Sequence, residues 1–292
     1  MLLELQNIKK YFPLRRGFGE SPRYVKAVND VSLAIKKGEN LALVGESGSG
    51  KTTLGRITIK LLSLDSGRII FEGRDLSALS SQAMRPVRKD IQMVFQDPFS
   101  SLDPRFTIRR VIGEAMIFDK TLPRSQKDDK IKNTLRAVQL PGNILNRYPH
   151  EFSGGERQRI AIARALIMNP KFLILDEAVS SLDVLVQEQI LELLKGLQSR
   201  FDLTYLFISH NLKVVRKLCQ RIAVMYQGKI VELASAVDIL KNPLHPYTQR
   251  LLTAAIDYQV PQEGREEIVI EDRARLLEYR KDHFVISKEF LK

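Results

Sequence analysis

The sequence predicts an α/β fold with a largely parallel sheet, and three observations carry that expectation. Leu41-Ala42-Leu43-Val44 is a continuously apolar run, as a strand buried on both faces should be, and it leads into Gly45-Glu46-Ser47-Gly48-Ser49-Gly50-Lys51-Thr52, which fits GxxxxGK[ST]. A second apolar run, Phe172-Leu173-Ile174-Leu175, ends in Asp176-Glu177. Between and after these runs, strand-sized and helix-sized segments alternate, the pattern of strands joined by crossover helices.

In chain order, Leu3–Gln6 and Val28–Ile35 alternate as strands do, and a Lys-Gly-Glu-Asn turn at 37–40 precedes the buried strand at 41–44. A helix is expected from Lys51 to about Leu62, then a strand at Arg68–Phe71 closed by Gly73. From about 97 to 165 the character changes to helical periodicity, around Val111–Phe118 and Lys130–Val138, broken by charged or Pro-containing loops. That stretch reads as a helical insertion within the α/β core. Strands return at Phe172–Asp176, Tyr205–Ser209 and Ile222–Tyr226, and Gln227-Gly228 predicts a hairpin into Lys229–Glu232. Past about Lys241 the pattern gives no fold.

Composition narrows the function classes. The apolar runs are strand-sized and fall far short of a bilayer span, and Met1–Leu5 lacks the basic start of a signal peptide. With Cys219 as the single cysteine, no intrachain disulfide can form. The net charge of +12 invites a nucleic-acid partner, yet no basic tract interleaves with aromatics and the chain has no Trp for base stacking. A generally basic surface beside an anionic membrane leaflet is the better reading.

The motifs supply chemistry. In a GxxxxGK[ST] loop the glycines let successive backbone N–H groups surround a phosphate, Lys51 reaches the β- and γ-phosphates, and the Thr52 hydroxyl ligates Mg²⁺; Gly45 to Thr53 are together the expected nucleotide-binding residues. Asp176, at a strand end, is placed to hold the metal through water, and Glu177 to polarise an attacking water. Ser153-Gly154-Gly155-Glu156 reads as a capping box before an apolar-faced helix bearing Ile160, Ala163 and Ile167. Its two bare glycines leave backbone N–H groups that can bind a phosphate. His150 and His283 have no such context and read as ordinary surface residues.

With Phe152-Ser153-Gly154-Gly155-Glu156-Arg157-Gln158 close to an LSGGQ signature, the chain over about residues 1–240 resembles the ATPase subunit of an ABC transporter. The resemblance implies a P-loop NTPase core of the ABC ATPase type, with an N-terminal antiparallel β subdomain and the helical insertion. It implies that Ser153, Gly154, Gly155 and Glu156 bind the γ-phosphate of ATP held by the opposite subunit. Val94–Pro98 is similar to the Q-loop, in which Gln96 would touch Mg²⁺ and the water. Ser180-Ser181-Leu182-Asp183 resembles the D-loop, which brings Ser181 and Asp183 to a dimer interface, and His210 matches the switch histidine at the γ-phosphate. Phe12 takes the place of the ring stacked on adenine, with Tyr11 as the alternative and Arg15–Arg23 as an insertion beside them.

Two departures stand out: Phe152 and Glu156 replace the commonest Leu and Gln of the signature, and Ala178 replaces a frequent proline. Phe99–Arg105 and Asn242-Pro243-Leu244-His245-Pro246-Tyr247-Thr248 resemble the oligopeptide/dipeptide branch, making 241–292 its C-terminal extension. Some members carry a four-cysteine iron–sulfur site there, which one cysteine cannot build. The resemblance implies ATP and Mg²⁺ without a cluster, at the cytoplasmic face of the membrane. The partners it implies are a second, related but different ATPase chain, two transmembrane permeases and an extracytoplasmic solute-binding protein, with no nucleic acid. Oligosaccharides and nickel travel through relatives of the branch and remain alternative cargoes. ATPases of this class that act on ribosomes or DNA usually have two ATPase domains or a long coiled coil, and this chain has one phosphate loop and no heptad run.

Overall fold

Alternating apolar residues pair β1 (Leu3–Pro13) with β2 (Tyr24–Ile35), antiparallel, with Leu3 opposite Ile35 and Pro13 opposite Tyr24. The computed structural model describes residues 1–14, 23–97, 101–116, 123–255, 268, 270 and 274–286. Residues 15–22 of the expected insertion, Pro98-Phe99-Ser100, the Phe118 end of one helical stretch and most of the chain beyond Ala255 lie outside the described residues.

Two units partition the chain. One comprises Met1–Ser80 with Leu206–Lys292, the other Ser81–Tyr205. In the first, β4 (Ser66–Phe71) and β5 (Arg74–Asp75) extend the N-terminal antiparallel sheet in the order β2-β1-β4-β5. β3 (Asn40–Val44) is buried along its whole length, as its unbroken apolar run requires. It pairs in parallel with β9 (Arg221–Tyr226), Val44 opposite Val224. The Gln227-Gly228 turn then returns the chain antiparallel into β10 (Lys229–Ser235), with Gln227 and Gly228 both at positive φ (46° and 78°). The expected hairpin is therefore present.

Helix α1 (Lys51–Thr58) is shorter than its apolar pattern suggested. Leu61 N and Leu62 N both turn back to Arg56 O (2.9 and 3.2 Å) with Lys60 left-handed at φ 53°, a helix stop built without glycine.

In the second unit, β6 (Ile91–Val94), which follows α2 (Val87–Asp90), runs parallel to β7 (Phe172–Asp176), pairing Val94 with Leu175. Between them come α3 (Ile108–Gly113), α4 (Arg124–Ala137) and α5 (Gly154–Leu166), the helical character expected of this stretch. α6 (Val184–Phe201) buries Ile190, Leu191, Leu193, Leu194 and Leu197, one face at helical spacing. The chain passes from the second unit to the first within β8 (Thr204–Ser209), and α7 (Leu212–Leu218) follows, N-capped by the Asn211 side chain.

The described residues around and beyond Lys241, where the sequence pattern gives no fold, belong to the first unit. It holds α8 (Ala236–Lys241), α9 (Pro246–Ala255) and a hairpin of β11 (Leu276–Arg280) and β12 (His283–Ile286). β12 pairs with β10, Glu232 opposite Val285, so the C-terminal strands extend the sheet that carries β3. This pairing corrects one expectation: His283 is not a surface residue but fully buried, its Nε2 2.7 Å from Oε1 of the equally buried Glu232. Arg280 Nε donates to His283 Nδ1 (3.1 Å), which leaves the ring proton on Nε2, pointing at the carboxylate. His150 is exposed, as expected, and stacks on Tyr148 with ring centroids 5.7 Å apart.

Candidate active site

Each unit holds its own cluster of the expected residues. In the first unit the loop Gly45–Gly50 leaves β3 and delivers Lys51, Thr52 and Thr53 to the first turn of α1. Two glycines are demanded by close approach as well as by positive φ. A Cβ on Gly45 (φ 152°) would lie 2.2 Å from Met225 O, and one on Gly50 (φ 108°) would lie 2.0 Å from Ala27 O. Gly48 has open space where its side chain would be. Glu46, Ser47 and Gly48 are exposed, while Ser49 and Lys51 are buried.

Lys51 folds into its own loop. Nζ donates to Gly45 O (2.8 Å), Glu46 O (2.7 Å) and Ser49 Oγ (3.3 Å). A buried ammonium satisfied by loop carbonyls, beside a glycine-lined opening at a helix N-terminus, suits the β/γ-phosphates of a nucleotide. The Thr52 hydroxyl is a hard oxygen donor suited to Mg²⁺.

Around the loop, Gly228 N donates to Ser49 O (3.1 Å) and Tyr247 Oη accepts from Glu46 N (2.9 Å). His210, directly after β8, is exposed. Phe12 is 38% exposed with Lys10 Nζ 5.7 Å from its ring centroid, whereas Tyr11 Oη is bonded to Asn29 Oδ1 (2.8 Å).

In the second unit Asp176 is buried at the end of β7 and Glu177 follows it with φ 47°. A left-handed glutamate costs about 1–2 kcal/mol. Here Ser180 compensates locally, its N and Oγ both donating to Glu177 O (3.1 and 2.9 Å). That twist presents the Glu177 carboxylate to Gln96, whose Nε2 donates to Oε2 at 2.7 Å. The two residues are 81 positions apart in sequence, and the parallel pairing of β6 with β7 is what brings them together. The amide oxygen of Gln96 remains as an acceptor, and Asp176 adds a carboxylate, again oxygen donors of the kind Mg²⁺ takes.

The capping box at Ser153 is present. Ser153 Oγ accepts from Glu156 N (3.3 Å), while Glu156 Oε2 accepts from Ser153 N (2.8 Å) and from its hydroxyl (2.9 Å). Those bonds, the backbone one first, hold the Glu156 carboxyl below its ordinary range. Gly155 packs so closely on the start of α6 that a Cβ would lie 2.6 Å from Val186 Cγ1, and one on Gly154 would lie 3.6 Å from Leu182. The segments of Ser153–Glu156 and Ser181–Asp183 therefore lie side by side.

Asp183 has a second role beyond the D-loop resemblance. It is the N-cap of α6, accepting from Val186 N at 3.0 Å. An Asp immediately before a long apolar-periodic run was the available signal.

The family described as ABC transporter matches residues 28–180, and the family described as oligopeptide/dipeptide transporter, C-terminal region, matches residues 231–279. The chain is 51% identical over 255 residues to the oligopeptide transport ATP-binding protein AppF of Bacillus subtilis, covering 87% of this chain and 78% of that one. It is 45% identical over 288 residues to the oligopeptide transport ATP-binding protein OppF of Streptococcus pyogenes serotype M1, covering 94% of both. Among solved structures it resembles the ATP-binding cassette MJ0796, a post-hydrolysis dimer bound to ADP and Pi, with TM-score 0.71 and 28% identity over 80% of this chain and 98% of that one. It also resembles cbiO1 of Clostridium perfringens, part of the cbiONQ transporter complex, with TM-score 0.70 and 25% identity over 88% of this chain and 96% of that one.

Proposed function

The chain belongs to the ABC transporter ATP-binding family, and from that premise we propose that its ATP hydrolysis powers the import of peptides. The observation that carries the peptide assignment is the match of residues 231–279 to the C-terminal region of oligopeptide/dipeptide transporters. Two relatives named as oligopeptide transport ATP-binding proteins support it.

In this reading Gly45–Gly50 and the α1 N-terminus cradle the phosphates of ATP, and Lys51 exchanges its loop carbonyls for β- and γ-phosphate oxygens. Phe12 stacks on adenine; its exposure supports it over Tyr11, whose hydroxyl is engaged. Thr52, Gln96 and Asp176 are the oxygen donors that would hold Mg²⁺, which would neutralise phosphate charge when bound. Glu177 orients the attacking water, held in place by the Gln96 hydrogen bond, and His210 contacts the γ-phosphate. Ser153, Gly154, Gly155 and Glu156 serve the ATP of a second subunit, with Ser181 and Asp183 at the same interface.

Among the described residues no helix is long and apolar enough to cross a membrane. The reading places the chain at the cytoplasmic face, on two permeases fed by an extracytoplasmic solute-binding protein. It pairs the chain with a related, different ATPase, without nucleic acid and without an iron–sulfur cluster. Affinity purification of the tagged chain from native membranes is expected to recover two permeases and a second phosphate-loop protein. Recovery of this chain alone, doubled on the permeases, would overturn the heterodimer, and recovery with ribosomes or DNA would overturn the transport assignment.

A further inference from the structure

The start of the C-terminal extension is wired into the phosphate loop. Glu232, fully buried on β10, accepts from Leu244 N at Oε1 (2.9 Å) and from His245 N at Oε2 (3.0 Å), and Oε1 also meets His283 Nε2. Those bonds fix the entry to α9, where Pro246 takes the first helical position and needs no N–H partner. His245 Nδ1 then accepts from Tyr247 N (3.1 Å). Burial first, and Arg250 second, push His245 down to about 4, so its ring is neutral and suited to accept.

Tyr247 is thereby set with its ring against Tyr226, centroids 4.2 Å apart, and its hydroxyl on Glu46 N. The Tyr247 side chain is 2% exposed, and burial raises its phenol to about 12, so it stays protonated at neutral pH. Glu46 is thus gripped at both ends, its N–H by Tyr247 and its C=O by Lys51 Nζ.

From this geometry we infer that Tyr247 is a positioning residue for nucleotide binding, holding Glu46 and, through it, the shape of the phosphate loop. The C-terminal extension is then part of the ATP site's support. The inference rests on the ATPase reading above. A loop held in its working shape before ATP arrives has less to order on binding, so releasing it lowers affinity.

Tyr247→Phe keeps the ring on Tyr226 and deletes only the hydroxyl that receives Glu46 N. Calorimetric titration of MgATP into the full chain is expected to show roughly three- to tenfold weaker binding, the size of one lost hydrogen bond. The Glu46 amide should exchange faster with solvent in the nucleotide-free variant, while the amides of Ala42–Val44 keep their wild-type rates. In a Glu46→Pro background, which removes the N–H, Tyr247→Phe should cost nothing further. Unchanged affinity, unchanged Glu46 exchange, or an equal loss in the Glu46→Pro background would each overturn the inference and leave Tyr247 as packing for α9. A wild-type chain that failed to bind MgATP would instead overturn the ATPase reading beneath it.

Discussion

Glu177→Gln is expected to bind ATP as the wild type does and to lose about a hundred- to ten-thousandfold of its turnover, the range for removing a positioned general base. The amide side chain matches the carboxylate in shape and can still meet Gln96, but it cannot take a proton from the attacking water. The left-handed backbone at φ 47° is set by Ser180 and the β7 terminus and survives the change. A pair of subunits carrying the substitution should therefore stay closed on ATP. Steady-state phosphate release measures the loss, and turnover within a few-fold of wild type would show that Glu177 is not the base.

Ser153→Arg is expected to abolish ATPase activity while the isolated subunit still binds ATP. Its cost in stability is bounded, since losing an N-cap is worth about 0.5–2 kcal/mol, and Gly155 still seats against Val186. The phosphate loop is untouched. What changes is the exposed start of α5, where a long cation takes the place of a small hydroxyl beside the N–H groups that the proposed function offers to the partner's γ-phosphate. Light scattering with ATP should show no dimer. If the folded mutant lost ATP binding as a monomer, Ser153–Glu156 would act within its own chain.

The parts of the site that were legible in sequence are those written in consecutive residues. The loop Gly45–Thr52 is local, because its glycines answer to backbone positions that only glycine fits, and so is the capping box Ser153–Glu156, whose donors and acceptors lie three residues apart. What was not legible depends on strand pairing between distant segments. Gln96 and Glu177 could each be given a role from their own motif, but nothing local shows that they touch. His283 looked like a surface residue because its burial comes from Glu232, 51 positions earlier, through the β10–β12 pairing. The same pairing hid the fold of the C-terminal extension, since Asn242–Thr248 makes sense only once buried Glu232 is there to receive its N–H groups.

If ATP hydrolysis by this chain drives peptides into the cell, deleting the chain removes the uptake. Uptake of a labelled short peptide by cells deleted for the chain tests this most directly. The expected result is uptake at background, restored by the wild-type gene and not by Glu177→Gln. Undiminished peptide uptake in the deleted cells, or full restoration by Glu177→Gln, would contradict it.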